Sequence, residues 1–465
     1  MRKTKIVATI GPATHSLEQL DALAKAGVGM YRLNFSHGSY DWYEGLIKDI
    51  RSLKNGNPII LDTKGPEIRS GELESPRTFE PGDSLVLSVA DGITKSDEKI
   101  SVSYKKFITD VEVDDLILVD GGVMSMRILE KKGEDIICEI VDGGTMSSRR
   151  HLNVRGRTAS LDPVTEKDWE DLKFGIQHGV DMIAQSFVRS ASDVKLIKDF
   201  LAENNAGDIQ VIAKIETCEA AQNIEEILTV ADGIMVARGD LGAELPFTQV
   251  PRVQQELIEA AEKAQKPVIV ATQMLETMME NPIPTRAEVT DVSLAVFQRA
   301  DATMLSGETA AGKYPIKVVE TMSEILLESE SSFVESSDLR NIPTNAVPNG
   351  LAKSVATLSQ TLEDIDVIFV LTHTGETARD IASFRPKADI FAFTDSEITA
   401  RQLGVLWGTT ANVIDFDGQN PENTVQTARE LFLKKFPEKK GKQFILLSGS
   451  LVNGEFVRSV QVRDL

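Results

Sequence analysis

Eight short runs rich in Val, Ile and Leu recur between residues 4 and 307, and they constrain the fold more than any other feature of the chain. They are "TKIVATIG" (4–11), "MYRLNFS" (30–36), "PIILDTK" (58–64), "MIAQSF" (182–187), "VIAKIE" (211–216), "GIMVAR" (233–238), "PVIVAT" (267–272) and "ATMLSG" (302–307). Runs apolar on both alternate faces belong to strands buried on both sides, as in a parallel sheet covered by helices. Amphipathic stretches such as "SLEQLDALAKAGV" and "VQQELIEAAEKAQKP" separate most of them, and Ser16 with Gln19 marks the first helix start. Eight such repeats predict a closed (β/α)8 TIM barrel.

One interval breaks this rhythm. Residues 66–156 alternate in short polar–apolar segments bounded by Gly, Asp and Pro, which predicts a small β-barrel lid built on hairpins and inserted after the third strand. The stretch 330–350 is rich in Ser, Asn and Pro and reads as a linker. Beyond it, "VIFVLT", "ETARDIASFR", "DIFAFT" and "QFILLSG" predict a doubly wound α/β domain. The expected domains are a catalytic barrel over 1–65 and 157–337, a lid over 66–156 and a C-terminal domain over 338–465.

Charge narrows the partners. With 71 acidic against 50 basic residues the formal charge is −21, which argues against nucleic acid and against an anionic membrane surface. A few cations focused in one cleft remain compatible with small anionic substrates. Cys138 and Cys218 have no metal-ligand spacing and read as free thiols in a reducing compartment. No apolar run approaches the ~18 residues of a membrane span, and the opening "MRKTKIVATIGP" lacks a secretory cleavage pattern. A cytoplasmic location is expected.

In a barrel of this kind the chemistry collects where strands end. Those ends carry Arg32, Asn34 and Ser36; Asp62, Thr63 and Lys64, with Arg69 close behind; Lys214 and Glu216; Arg238, Gly239 and Asp240; Thr272; and Ser306. A packed core needs none of them, and burying them unpaired is costly. In "VIAKIETCEA", Lys214 and Glu216 stand two apart and so share a strand face. Glu216 and Asp240 are hard oxygen donors with no His or Cys nearby in sequence, which suits Mg²⁺ or Mn²⁺ over zinc. Arg32, Arg69 and Lys214 suit phosphoryl oxygens. Cations beside a carboxylate-held metal are the equipment of phosphoryl transfer. Competing motifs are weak: "GETAAGKY" has Tyr314 where a P-loop needs Ser or Thr, and reads as a helix-entry turn. There is no GxGxxG, and no serine sits in a nucleophile elbow. His37, just past a strand end, is a candidate lining residue.

The motifs "TKIVATIGPAT", "YRLNFSHG", "LDTKGPEIR", "TEKDWEDLKFG", "AKIET", "GIMVARGDLGAELP", "PVIVATQMLETM", "PTRAEVTDV" and "MLSGETAAGKYP", in this order, resemble the pyruvate kinase family over essentially the whole chain. "SSRRHLNVRGRTA" looks most like its plastid-type branch. The resemblance implies transfer of the phosphoryl group of phosphoenolpyruvate to ADP, giving pyruvate and ATP, and a homotetramer. It implies Lys214 at the phosphoryl group, Glu216 and Asp240 on Mg²⁺ or Mn²⁺, and Arg32 and Arg69 on phosphoryl oxygens. Amides at Gly239 and Asp240 would take the substrate carboxylate, with Thr272 and Ser306 in the relay that protonates the enolate. Asn34, Ser36, Asp62 and Thr63 match a K⁺ site, and Glu67 agrees with potassium-dependent members. Asn34, His37, Arg69 and Arg150 are the implied nucleotide contacts.

Three departures stand out. Arg150–His151 replaces a Lys-Gly pair, the lid keeps only Asp120 of a paired Asp, and Glu376 sits in the loop that binds an effector phosphate elsewhere in the family. The last argues against activation by fructose 1,6-bisphosphate. Two other classes compete: a metal-dependent carbon–carbon lyase on the same barrel, which would need neither the lid nor the Arg32/Arg69/Lys214 cluster, and a non-catalytic paralogue, which loss of Lys214 or a metal ligand would favour.

Overall fold

The eight apolar runs become eight parallel strands in a computed structural model of the chain. They are Lys5–Thr9, Met30–Asn34, Ile59–Asp62, Met182–Gln185, Gln210–Ile215, Gly233–Ala237, Val268–Ala271 and Ala302–Leu305. Each pairs with its sequence neighbour, and the first pairs with the eighth to close the barrel, Lys5 opposite Ala302. The structure describes all residues except 54, 157–159, 334–346 and 453–454, and the side chains of 450–452 and 455–456 are also left aside. The point at 157 where the barrel was expected to resume, the 337/338 boundary and much of the linker therefore lie outside the described residues.

Alternation along each strand divides the core in two. Ile6, Ala8, Tyr31, Leu33, Ile59 and Leu61 face outward and pack with the surrounding helices. Val7, Met30, Ile60, Met182, Ile212 and Met235 fill the barrel, as a parallel barrel interior requires. Local signals set the helix ends: Ser16 Oγ accepts from Gln19 N (3.3 Å) at the start of Leu17–Ala26, and left-handed Gly27 (φ 113°) closes it.

Between the third and fourth barrel strands, hairpin-rich chain forms a six-stranded sheet and a two-stranded ribbon around their own apolar cluster. The C-terminal domain is a five-stranded sheet, ordered 409–413, 389–394, 367–371, 443–452, 455–464, in which only the last strand is antiparallel. Its inner face, with Leu403, Val405, Leu406 and Ile368, joins the barrel interior in one continuous apolar cluster. Barrel floor and C-terminal domain are thus packed as one body. No helix among the described residues is long and apolar enough to cross a membrane.

Candidate active site

The C-terminal ends of the second to fifth barrel strands converge on one buried carboxylate. Asp62 is wholly buried. Its Oδ2 accepts from Arg32 Nε at 2.5 Å, and its Oδ1 accepts from Lys214 Nζ at 3.0 Å. Burial works to raise its pKa, but Arg32 and Lys214 outweigh that and hold the carboxyl below its usual range. Lys214 also reaches Glu216 Oε1 (2.9 Å) and donates to Ser186 Oγ (2.6 Å). Desolvation would strip its proton, but Asp62 and Glu216 prevail and raise its pKa, so it stays an ammonium. Arg32 Nη1 donates to Thr9 Oγ1 (3.0 Å), which brings in the first strand.

Glu216 sits just past the fifth strand and is 2 % exposed. Phe187, in the left-handed region (φ 53°), donates its backbone N–H to Glu216 Oε2 at 2.7 Å. Burial raises the Glu216 pKa against the pull of Lys214, and nearby Asp240 raises it further. Asp240 is raised as well, first by burial, then against Lys214 by the charges of Glu67 and Asp62. Two buried carboxylates whose charged forms are both disfavoured fit a divalent cation, because a cation beside them offsets the cost of their charge. Among the described residues, no group of three or more His, Cys, Asp and Glu side chains has metal-site geometry. Mg²⁺ is commonly held by one or two carboxylates, with water and substrate oxygens completing its shell.

Across the mouth, Gly239 N donates to Thr272 Oγ1 (2.9 Å), while Thr272 Oγ1 donates to Ala271 O (2.6 Å). The Gly239 amide is thus already engaged by Thr272, and a carboxylate arriving there would compete with that hydroxyl. Ser306 Oγ is buried and has no hydrogen-bond partner among the described residues. Its backbone N–H donates to Glu308 Oε2 (2.7 Å), and Leu275 N donates to the other oxygen of the same carboxylate (3.2 Å), tying the seventh and eighth strand loops together.

Other expected residues lie further out. Arg69 pairs with Glu67 through Nε (2.8 Å) and Nη2 (2.7 Å) and donates from Nη1 to Arg149 O (2.8 Å), so it is tied within the base of the lid. Arg150 pairs with Asp120 (3.1 Å) inside the lid. His37 is exposed on the rim, with its carbonyl held by the Tyr43 hydroxyl. Asn34 stands opposite Asp62 in register, and its Oδ1 accepts from Ser36 N (3.2 Å). Thr63 Oγ1 accepts from Ser186 N (3.1 Å). Lid residue His151 places Nδ1 3.9 Å from Asp240 Oδ1, and burial lowers its pKa. Sequence reading missed Ser186 and Thr9, yet both follow the strand-end rule applied to their neighbours. Asp62, read from sequence as a cation ligand, is in this structure the hub of the ion-pair cluster with Arg32 and Lys214.

Fold and cluster together define a TIM-barrel enzyme with a lid, equipped for anionic phosphoryl chemistry. Comparison with known proteins makes this specific. Residues 1–319 match the family described as "Pyruvate kinase, barrel domain", and residues 349–456 match "Pyruvate kinase, alpha/beta domain". The chain is 43% identical over 453 residues to a chloroplastic pyruvate kinase isozyme G of Nicotiana tabacum, covering 96% of this chain and 80% of that one. It is 42% identical over 463 residues to a pyruvate kinase of Bacillus licheniformis, covering 97% and 77%. A crystal structure of a pyruvate kinase from Cryptosporidium parvum superposes with a TM-score of 0.91 at 33% identity, covering 100% and 96%. The chain belongs to the pyruvate kinase family.

Proposed function

We propose that the cluster around Lys214 is where this phosphotransferase carries out the reaction of its family. The phosphoryl group of phosphoenolpyruvate passes to a terminal phosphate oxygen of ADP, and the enolate left behind gains a proton at its methylene carbon to give pyruvate. The observation that carries the assignment is Lys214: a buried ammonium kept charged by Asp62 and Glu216 at a barrel mouth. Such a fixed charge stabilises a phosphoryl group in flight without reorganising, and fixed charges of this kind are the main source of rate acceleration in phosphoryl transfer.

Arg32 and Arg69 supply further cationic contacts to phosphoryl oxygens. Amides at Gly239 and Asp240 receive the substrate carboxylate, and Thr272 and Ser306 belong to the proton relay. Glu216 and Asp240 would hold Mg²⁺ or Mn²⁺, which when bound supplies positive charge to phosphoryl and enolate oxygens. Asn34, Ser36, Asp62 and Thr63, with Glu67 nearby, would hold K⁺. Asn34, His37, Arg69 and Arg150 line the approach of the nucleotide. A cytoplasmic homotetramer completes the reading.

Steady-state pyruvate formation from phosphoenolpyruvate and ADP tests it. Turnover should require Mg²⁺ or Mn²⁺, rise with K⁺ and fall about 10²-fold or more in Glu216→Gln. Turnover indifferent to K⁺ would remove the monovalent site, and unchanged turnover in Glu216→Gln would remove the divalent one.

A further inference from the structure

The seventh barrel strand ends in an uncommon backbone. Thr272 (φ 67°) and Gln273 (φ 52°) are consecutive non-glycine residues in the left-handed region. For L-residues this region is sterically disfavoured, and a β-branched threonine is a strong outlier there. Such strain persists only where surrounding groups over-determine it.

Those groups converge from one side chain. Arg238, 7 % exposed, is the first residue of the helix Arg238–Glu244 that follows the sixth strand. Its Nε donates to Ala271 O (3.3 Å) and Thr272 O (3.2 Å), and its Nη2 donates to Thr272 O and to Gln273 O (3.2 Å). Three consecutive carbonyls of the left-handed turn are thus held by one guanidinium. Nη1 pairs with Asp291 (2.7 Å) on the helix Arg286–Phe297 and lies 3.5 Å from Gln254 Oε1 on the helix Val250–Lys263. The fork is anchored behind as well as in front. A planar group with five donors can do this; an ammonium can reach only part of it.

We infer that Arg238, anchored by Asp291, is a positioning residue that holds the Thr272 turn left-handed and so aims the Thr272 hydroxyl at the reacting centre. This rests on the proton-relay role proposed for Thr272. The guanidinium touches no reacting atom; it acts through the three carbonyls. With the clamp removed, the turn relaxes toward ordinary backbone and the hydroxyl swings away from Gly239. A displacement near 1 Å costs about 10²-fold in rate.

Arg238→Met, Arg238→Lys and Asp291→Asn are compared with wild type and with Thr272→Val. Three quantities are read: kcat, KM for phosphoenolpyruvate, and the rate at which the methyl protons of pyruvate exchange with D2O in the presence of ATP and Mg²⁺, followed by proton NMR. Melting temperature is recorded for each. Arg238→Met should lower both kcat and methyl exchange by about 10²-fold, leave KM within about threefold and match Thr272→Val in pattern, with Arg238→Lys restoring part of the loss. Asp291→Asn, the milder change, should show the same pattern at lower amplitude and serves if Arg238→Met does not fold. A lowered melting temperature with wild-type exchange per folded molecule in the Arg238 and Asp291 variants would mean a purely structural role and overturn the inference. If Thr272→Val itself exchanges like wild type, the relay assignment fails and the inference falls with it. Loss in Thr272→Val without loss in the Arg238 and Asp291 variants overturns the inference alone.

Discussion

At Lys214, two effects of burial oppose each other. Desolvation favours the neutral amine, while Asp62 at 3.0 Å and Glu216 at 2.9 Å favour the ammonium, and the pair of carboxylates wins. Removing one partner of a buried ion pair costs about 3–5 kcal/mol, because the other charge is left uncompensated. Asp62→Asn should therefore lower stability by an amount of that order, as read by urea denaturation, since both Arg32 and Lys214 lose their acceptor charge. A loss below about 1 kcal/mol would mean the cluster behaves like a solvated surface pair. Much of this cluster was legible in sequence, because two-residue alternation puts Lys214 beside Glu216 whatever else happens. The clamp from Arg238 to the carbonyls of Ala271, Thr272 and Gln273 was not legible, since it joins residues 33 to 35 positions apart through backbone oxygens that no residue type announces. The left-handed Phe187 is hidden for the same reason: its conformation is imposed by what its N–H must reach.

Among the elements, the link from third strand to lid couples structure to chemistry most tightly. Gly65 has φ 69°, and a Cβ there would lie 2.8 Å from the Cβ of Ser186, whose hydroxyl accepts from Lys214. Its N–H donates to Asp168 Oδ1 (3.1 Å), while the other oxygen of Asp168 completes the capping box with Thr165 on the helix Glu166–His178. Gly65→Ala should cost more than the ~1 kcal/mol of a positive φ alone and lower kcat through Ser186; a variant of wild-type stability and kcat would show that the close approach relaxes freely. In the C-terminal domain, burial raises the Asp380 pKa to about 6, with the charge of Glu376 adding to it. Its folded value lies above the unfolded one, so its destabilising effect is absent below pH ~4 and grows as pH rises to ~6. Asp380→Asn should therefore stabilise the protein at neutral pH by up to about 3 kcal/mol and leave it unchanged near pH 4. Equal melting temperatures for the two proteins at pH 7 would refute this. The strands themselves were readable because burial on both faces leaves continuous apolar runs. Helix breaks such as that between Cys218–Gln222 and Ile224–Val230 were not, because the pattern runs through them.

For the whole molecule, the barrel floor and the C-terminal domain are latched by two buried acids. Asp181 pairs with Arg51 and Arg401 at 2.7 Å each, and Asp301 pairs with Arg385 at 2.7 Å. Lys3 lies over the Trp407 ring at 4.6 Å, beside the same seam. With the apolar cluster that crosses this boundary, the pairs should make barrel and C-terminal domain unfold together, while the lid packs around an apolar cluster of its own. Arg385→Met should cost about 3–5 kcal/mol and split a single calorimetric transition into two; a single transition at the wild-type temperature would show that the apolar seam suffices. The three-part organisation was legible because the lid and the C-terminal domain depart from the barrel's repeat. The latch was not, because it depends on which loops meet after folding.

The most direct test of the account is pyruvate formation by Lys214→Met at saturating phosphoenolpyruvate, ADP, Mg²⁺ and K⁺, beside wild type and with folding checked by circular dichroism. A folded variant with kcat lowered by about 10³-fold or more is the result predicted from a buried ammonium that stabilises the transferring phosphoryl group. A folded variant retaining more than about a tenth of wild-type turnover would mean that the charge at Lys214 serves the fold, and that the chemistry lies elsewhere at the barrel mouth.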